Sequence, residues 1–225
     1  MLAIKALSAL LLYPDEALRP ALPEIARALR TAPLPAAERN AAAAFCDRLA
    51  AQDTLAAQGE YTALFDSGRA LSLHLFEHVH GDSRDRGSAL AALLDDYRAA
   101  GLELAADELP DFLPVFLEYA SMHTEGEARA LLGEVADILA LLAARLEARN
   151  SGYAAVMRAL EALAARPADR DAVAARVAED RPDHTPEALD AAYAETPVTF
   201  MEPAAPETPC PKAAAIVARF AETGA

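Results

Sequence analysis

Apolar residues recur with the period of an α-helix along most of this chain. One stripe steps by four, three, four and four residues and consists of Leu131, Val135, Ile138, Leu142 and Leu146. This spacing places the five side chains on one face of a helix. Thr124 followed by Glu127 has the pattern of a capping box that begins such a helix, and Asn150 and Gly152 are suited to end it. The sequence therefore predicts one long core helix here.

Similar stripes begin at Tyr153 and at Leu90, the latter closed by Gly101 at a position that favours a helix C-terminus. Shorter helical patterns cover residues 35–52 and 54–66. No run alternates as a half-buried strand would, and no Asn-Gly or Asp-Gly hairpin turn occurs. The pattern predicts an all-α fold, a single globular helical domain of about eight to ten helices.

The two ends of the chain differ in character. The first residues, with Leu2, Leu7, Leu10 and Leu11 on one helical face, favour a first core helix over a signal peptide, because no small-residue cleavage site follows. From residue 181 to residue 211 prolines recur, and proline removes a backbone donor and blocks helix formation. We expect a helical domain at residues 1–194 and a flexible, proline-rich tail at residues 195–225.

The charge restricts the class of partner. Thirty-five acidic and 20 basic residues give a net charge of −15. Nucleic acid is disfavoured because its phosphates would be repelled, whereas a basic partner such as an arginine-rich peptide is compatible; solubility alone is the other explanation. Two cysteines are typical of a reducing compartment. No apolar run reaches the ~18 residues that span a bilayer, so we expect a cytoplasmic protein.

The segment LSLHLFEHVHGDSRDRG, residues 71–87, concentrates histidines, carboxylates and arginines. His74, Glu77 and His78 match the H-x-x-E-H pattern of a zinc peptidase helix, so a zinc-dependent hydrolase is the alternative function. That site needs a third ligand, for which only Glu147 is a formal candidate, and a sheet edge for the substrate. The histidines equally suit hydrogen bonding at a helix corner. We expect no metal.

The same segment has the features of a tight turn between two helices. On a helical wheel Leu71, Leu75, Phe76 and Val79 share one face. Gly81 is placed to end this helix, and Asp82 or Ser83 can cap the next one, with Asp85 in its first turn. Arg84 and Arg86 can pair with the acidic residues across the corner.

A second distinctive segment is ELPDFLPVFLEYAS, residues 108–121. If Asp111 caps a helix, Pro114 falls at its third position, where a missing N–H costs little. Five side chains then enter the core or line a groove: Phe112, Leu113, Phe116, Leu117 and Tyr119. Glu118 among them either reaches the surface or is presented to a ligand. The chain has no phosphate loop, nucleophile elbow or triad, so we expect no enzyme, no catalytic residues and no cofactor.

Four segments carry a resemblance: IKALSALLLYPDEAL (4–18), YTALFDSGRALSLHLFEHVHGDSRDRG (61–87), YRAAGLELAADELPDFLPVFLEYAS (97–121) and ETPVTF (195–200). In this order they resemble the NarJ-type nitrate reductase molybdenum cofactor assembly chaperones, a branch of the TorD-like family of redox-enzyme maturation proteins. The tail departs from the family, with Tyr193 and Ala194 where a tryptophan is expected.

The resemblance implies an all-helical chaperone that binds the catalytic subunit of respiratory nitrate reductase, a molybdoenzyme, through its N-terminal leader-like peptide. It implies support for molybdenum cofactor and iron–sulfur insertion before membrane attachment. Whether the chaperone is a monomer or a dimer stays open. The family's motif segments suggest these partner-binding residues: His74, Glu77, His78, His80, Asp82, Arg84, Asp85, Arg86, Asp111, Phe112, Phe116 and Glu118.

Overall fold

The computed structural model describes residues 1–79, 85–104, 108–181, 185, 187, 188 and 190. Within these residues the chain forms eleven α-helices and a short 3-10 helix, Arg19–Ala21. The α-helices are α1 (Leu2–Ala9), α2 (Leu22–Arg30), α3 (Ala36–Ala51), α4 (Thr54–Phe65), α5 (Leu75–Val79), α6 (Asp85–Ala99), α7 (Leu113–Ser121), α8 (Glu125–Glu134), α9 (Ala136–Ala148), α10 (Ala154–Leu163) and α11 (Arg170–Glu179). The predicted all-α class is confirmed, with more helices than expected.

One large apolar cluster joins most of the helices. α10 packs against α3 and α9, α1 packs against α7, and α2 packs against α3. Leu142, Leu146 and Leu160 are fully buried in this cluster. A small second cluster, centred on Leu141 and Val173, attaches α11 to α9. Burial of these leucine and alanine faces is the main stabilising contribution, because helices of this length are marginal alone.

The prediction of one long helix between Thr124 and Asn150 is wrong at one point. Val135 leaves the helical conformation at φ −104° and ψ 9°, which separates α8 from α9. The break lets α8 pack on α7 and α10 while α9 packs on α10 and α11. The predicted ends are confirmed: Thr124 and Glu127 form a capping box, and Asn150 has a φ of 54° directly after the helix.

The predicted end of α6 is also confirmed. Gly101 has a φ of 81°, in the left-handed region that favours glycine. Its N–H donates to the carbonyl of Arg98 at 3.0 Å, and the N–H of Leu102 donates to the carbonyl of Tyr97 at 2.9 Å. These two bonds form a Schellman motif, which satisfies carbonyls that the helix end would otherwise leave unpaired.

The predicted first core helix exists as α1, although its composition differs slightly from expectation. Leu7 is fully buried, whereas Leu2 is 70% exposed. Leu10 and Leu11 are buried just beyond the end of α1. No helix in the described part of the chain is both long and apolar enough to span a bilayer. The predicted tail, residues 195–225, lies outside the described residues.

Candidate functional site

The two distinctive segments of the sequence meet in the fold, which the sequence did not predict. Residues 73–75 run antiparallel to residues 111–113, and His74 and Phe112 form an isolated β-bridge. The N–H of Leu75 donates to the carbonyl of Asp111 at 2.9 Å, and the N–H of Leu113 donates to the carbonyl of Leu73 at 2.8 Å. We call this junction, residues 71–79 with 108–113, the corner.

Asp111 is the central side chain of the corner and is completely buried. Its Oδ2 accepts the N–H of Phe76 at 3.1 Å, and its Oδ1 lies 3.3 Å from Nδ1 of His74. The Arg86 guanidinium lies 3.7 Å from Oδ2. Burial alone would raise the pKa of this carboxyl, but the hydrogen bonds from His74 and Phe76 and the charges of His74 and Arg86 lower it below its usual value.

The predicted role of Asp111 as the cap of its own helix is therefore wrong. Phe112 occupies the N-cap position of α7, and Pro114 lies in the first two helical positions rather than the third. The Asp111 carboxylate instead accepts an N–H from the first turn of α5, a helix 35 residues earlier in the chain. Helix caps are recognised in a sequence by their short distance from the helix they cap. Asp111 is far from α5 in the sequence, which explains the error.

The predicted helix over residues 71–79 is much shorter in the structure. α5 begins only at Leu75, because His74 directly before it pairs with Phe112 in the β-bridge. Leu71, Leu73 and Leu75 are buried, and Val79 is 60% exposed rather than part of an apolar face. The short α5 is stabilised by the corner and not by its own length.

His74 and His78 consequently do not form the i, i+4 pair on one helix that the zinc interpretation requires. His74 precedes α5 and contacts Asp111, whereas Nε2–H of His78 donates to the carbonyl of Ser72 at 2.8 Å. Among the described residues, no three histidine, cysteine or carboxylate side chains converge as metal ligands would. The formal third ligand, Glu147, is paired with Arg158 at 2.8 Å through both carboxylate oxygens.

His78 is held neutral by its surroundings. Burial lowers its pKa below the usual value, and the nearby guanidinium groups of Arg145 and Arg176 lower it further, while the bond to Ser72 opposes the shift. Arg176 on α11 also donates to the carbonyl of His78 at 3.2 Å. His78 therefore connects α5 to the body of the fold as a neutral hydrogen-bond donor.

Glu77 and Arg86 connect α5 to the start of α6. Arg86 donates to Oε1 of Glu77 at 3.4 Å, so a predicted ion pair across the corner is confirmed. The Nε of Arg86 is buried and has no acceptor among the described residues. Asp85 is in the first turn of α6, as predicted. The predicted binding residues His80, Asp82 and Arg84 lie outside the described residues.

The α7 residues divide into buried and accessible groups. Phe116 is buried, at 5% exposed, and belongs to the core. Phe112 is half-buried, and its ring lies 5.4 Å from that of His74. Glu118 is exposed and makes no ion pair within the described part of the chain. Of the α7 residues proposed from the sequence, Phe112 and Glu118 are thus within reach of a partner.

An aromatic group beside α7 was not singled out from the sequence. The Tyr119 ring lies 4.8 Å from that of Tyr97 and 4.5 Å from that of His123. Burial raises the pKa of Tyr119, and the carboxylates of Asp96, Glu134 and Glu127 raise it further. The spacing of Tyr119 and His123 by four residues was the available signal.

Comparison with known proteins assigns this chain to a family. The family described as nitrate reductase delta subunit matches residues 15–159. The chain is 45% identical over 202 residues to the nitrate reductase molybdenum cofactor assembly chaperone NarJ of Escherichia coli (strain K12), covering 89% of this chain and 86% of that relative. It is 40% identical to the probable assembly chaperone NarW of the same strain, over 90% and 85% of the two chains. The probable assembly chaperone NarJ of Bacillus subtilis (strain 168) is 31% identical, over 71% and 86%.

Proposed function

Because this chain belongs to the nitrate reductase delta subunit family, among the NarJ-type molybdenum cofactor assembly chaperones, we propose that it binds the apo form of a nitrate reductase catalytic subunit. Family membership supports the general role of a maturation chaperone. In the specific role we propose, the chaperone binds the basic N-terminal leader-like peptide of that subunit in the cytoplasm. Molybdenum cofactor and iron–sulfur insertion then precede membrane attachment.

The observation that carries this proposal is the charge of the segment from Asp85 to Ser121, which comprises α6, the second half of the corner and α7. It contains eight acidic and two basic residues. Both arginines are already paired, Arg86 with Glu77 and Asp111, and Arg98 with Asp95 at 3.4 Å. The segment therefore presents excess negative charge, which is complementary to an arginine-containing peptide.

The corner supports this function without chemistry of its own. The carboxylate of Asp111 is in contact with His74 and Arg86. None of these three side chains is therefore available as a nucleophile or general base for a substrate. Their role in the proposal is to fix the position of α7 and of the start of α6. Phe112 and Glu118 then supply accessible apolar and acidic contacts, respectively. This division fits an assembly factor rather than an enzyme.

Titration calorimetry tests the proposal with a synthetic peptide of the N-terminal segment of a nitrate reductase catalytic subunit. We expect binding that weakens but persists as salt rises, because the Debye length falls from ~10 Å at 0.1 M to ~3 Å at 1 M. Apolar burial is nearly indifferent to modest salt. The absence of binding at any salt concentration would overturn the proposal.

Glu118→Gln tests the electrostatic part with little change in shape. Loss of this carboxylate should weaken peptide binding by ~1 kcal/mol, the scale of an exposed ion pair. The matched control is Glu24→Gln on α2, an equally exposed glutamate outside the acidic segment. Equal effects of the two substitutions would mean that only the net charge of the protein matters.

A further inference from the structure

Helix α6 is attached to the fold differently from the other long helices. Of its 15 residues only Tyr97 is buried. Leu90, Leu93 and Leu94 are half-buried and belong to neither apolar cluster of the described residues. Its contact with α7 is made by the Tyr97 ring, which lies 4.8 Å from that of Tyr119, and no helix in the described part of the chain packs extensively along α6. The three leucines of α6 therefore form an apolar patch that is only partly covered.

The contacts of α6 show which way that face points. Near its start Arg86 contacts Glu77 and Asp111 of the corner, and near its end the Tyr97 hydroxyl donates to the carbonyl of Pro110 at 2.9 Å. These two residues are eleven positions apart, or ~16 Å along the helix axis. α6 is therefore connected at both ends to the same part of the fold.

The three leucines lie on the same side of α6 as its two attachments. At about 100° per residue, Arg86, Tyr97 and the leucines fall within an arc of about 100°. The leucines thus face the corner and α7, between the two points of attachment. They are nonetheless half-exposed, so this side of α6 is an apolar surface that the described residues leave incompletely packed. We call Leu90, Leu93 and Leu94 the leucine face.

We infer that the leucine face of α6 is the docking surface for an amphipathic, positively charged helix of the partner protein. The inference rests on the proposed function and specifies where the peptide binds. Leucines at positions i, i+3 and i+4 match the side-chain spacing of a helix laid along a groove. Carboxylates lie nearby: Asp96 borders the leucines on the helical wheel, and Glu118 is on α7, whose Tyr119 ring contacts Tyr97 of α6.

The charges on this chain argue against two other occupants of the leucine face: the chain's own C-terminal segment and a second copy of the chain. Residues 182–225 contain seven acidic and two basic residues, so the chain's own C-terminal segment would bring like charge to the acidic surface. A second copy of the chain carries a net charge of −15 and is disfavoured for the same reason. A basic partner gains both apolar burial and favourable electrostatics.

The first test compares the effect on peptide binding of substituting leucines of the leucine face with the effect of substituting a leucine elsewhere, both in the full-length chain. The double substitution Leu90→Gln/Leu93→Gln keeps residues that favour helix and removes apolar area from the leucine face. We expect calorimetry with the leader peptide to show at least about a tenfold loss of affinity, or ~1.4 kcal/mol. The matched control Leu55→Gln changes a leucine of α4 that is 78% exposed, and should leave the affinity unchanged.

A second test does not depend on the folding of the double variant. A photoreactive benzophenone amino acid in place of Leu94 in the full-length chain should crosslink to the leader peptide. Mass spectrometry identifies the crosslinked segment. Crosslinks that stay within residues 182–225 when saturating peptide is present would overturn the inference, as would crosslinks to a second copy of the chain.

A second probe separates failure of this inference from failure of the proposed function. The probe is a designed helix with leucine on one face and arginine on the other. If the leader binds the native protein and the double variant equally, the proposed function stands and the docking surface is wrong. If the leader does not bind but the designed helix binds through the leucine face, the docking surface stands and the proposed partner is wrong.

Discussion

Helices α6 and α9 are similar in length but differ in composition and in burial. Leucine and alanine supply seven of the 15 residues of α6 and nine of the 13 residues of α9. Eight of the 13 residues of α9 are buried, whereas α6 buries one of 15. α9 packs against α10 on one side and α11 on another. α6 is connected by an ion pair near its start and by a tyrosine near its end.

The burial of the two helices differs by more than their leucine and alanine content does, so the neighbours of a helix also decide how strongly it is attached to the fold. Helical stability in proteins comes mainly from packing of an apolar face, and regions with few buried contacts open at lower free energy than the core. We therefore expect α9 to exchange its amide hydrogens only on global unfolding and α6 to exchange by local opening. For a chaperone that binds an unfolded or incomplete partner, a weakly packed apolar helix is a suitable contact surface.

The largest expected effect comes from a leucine of α9. Leu142→Ala should lower the free energy of unfolding by about 2–5 kcal/mol, because a fully buried side chain is removed from a packed core. The same change at Leu93 of α6 should cost less than about 1 kcal/mol, since part of that side chain is already in contact with water. Urea unfolding followed by circular dichroism measures both, and equal losses would contradict the contrast between the helices.

Asp111→Asn tests the attachment of α6 to the corner. The substitution keeps the size but removes the charge that His74 and Arg86 contact, and we expect a loss of about 1–3 kcal/mol. Hydrogen exchange should show faster opening of Phe76 and of α6, with α9 unaffected. Asp96→Asn, at an exposed carboxylate of α6, is the control and should have little effect.

The same variant predicts a change in acid sensitivity. The pKa of Asp111 is lower in the folded protein than in the unfolded chain, so its carboxylate stabilises the fold at pH values above the unfolded pKa of ~3.9. That contribution is lost as the pH falls from this value through the folded pKa. An asparagine side chain does not titrate, so stability measured against pH should fall less steeply below pH ~4 in Asp111→Asn than in the native protein.

A smaller effect is expected at His78. His78→Gln should cost about 1 kcal/mol at neutral pH through the weakened bond to the Ser72 carbonyl. Because the pKa of His78 is lowered by burial, the unfolded chain takes up a proton first as the pH falls below ~6.5, and the native protein loses stability from there down to the folded pKa. Thermal unfolding between pH 7 and pH 5 should show a shallower decline in the variant than in the native protein.

The smallest expected effect concerns the end of α6. Gly101→Ala forces alanine to adopt a positive φ and should cost about 1 kcal/mol, the lower end of the penalty for a left-handed residue. The expected readout is faster amide exchange in the last turn of α6, with little change in the global unfolding midpoint. Gly126→Ala in the first turn of α8, where an added Cβ meets nothing within 4 Å, is the control and should not destabilise. A large global loss from Gly101→Ala would mean that α6 is part of the core.

The sequence predicted those features whose determinants are local. The Thr124–Glu127 capping box and the Gly101 helix end each depend on residues within a few positions of one another, and both are present. The β-bridge at His74, which delays the start of α5 to Leu75, was not predicted because it depends on pairing with the distant Phe112. Asp111 was predicted to cap α7 instead of α5 for the same reason, because its contact with Phe76 joins residues that are 35 positions apart. The partner-binding roles assigned from the sequence remain predictions, and burial of Phe116 and Asp111 restricts any direct contact to the exposed members of that set.

The distant cap of α5 has a consequence for the time at which the corner can form during synthesis. α5 has five residues, too few to persist alone, and the carboxylate that accepts its Phe76 N–H is encoded 35 residues later. At ~5–20 residues per second, a ribosome takes about 2–7 s to add that stretch. Residues 71–79 therefore remain without their cap for seconds after they are made, and the corner is completed only when α7 begins to emerge.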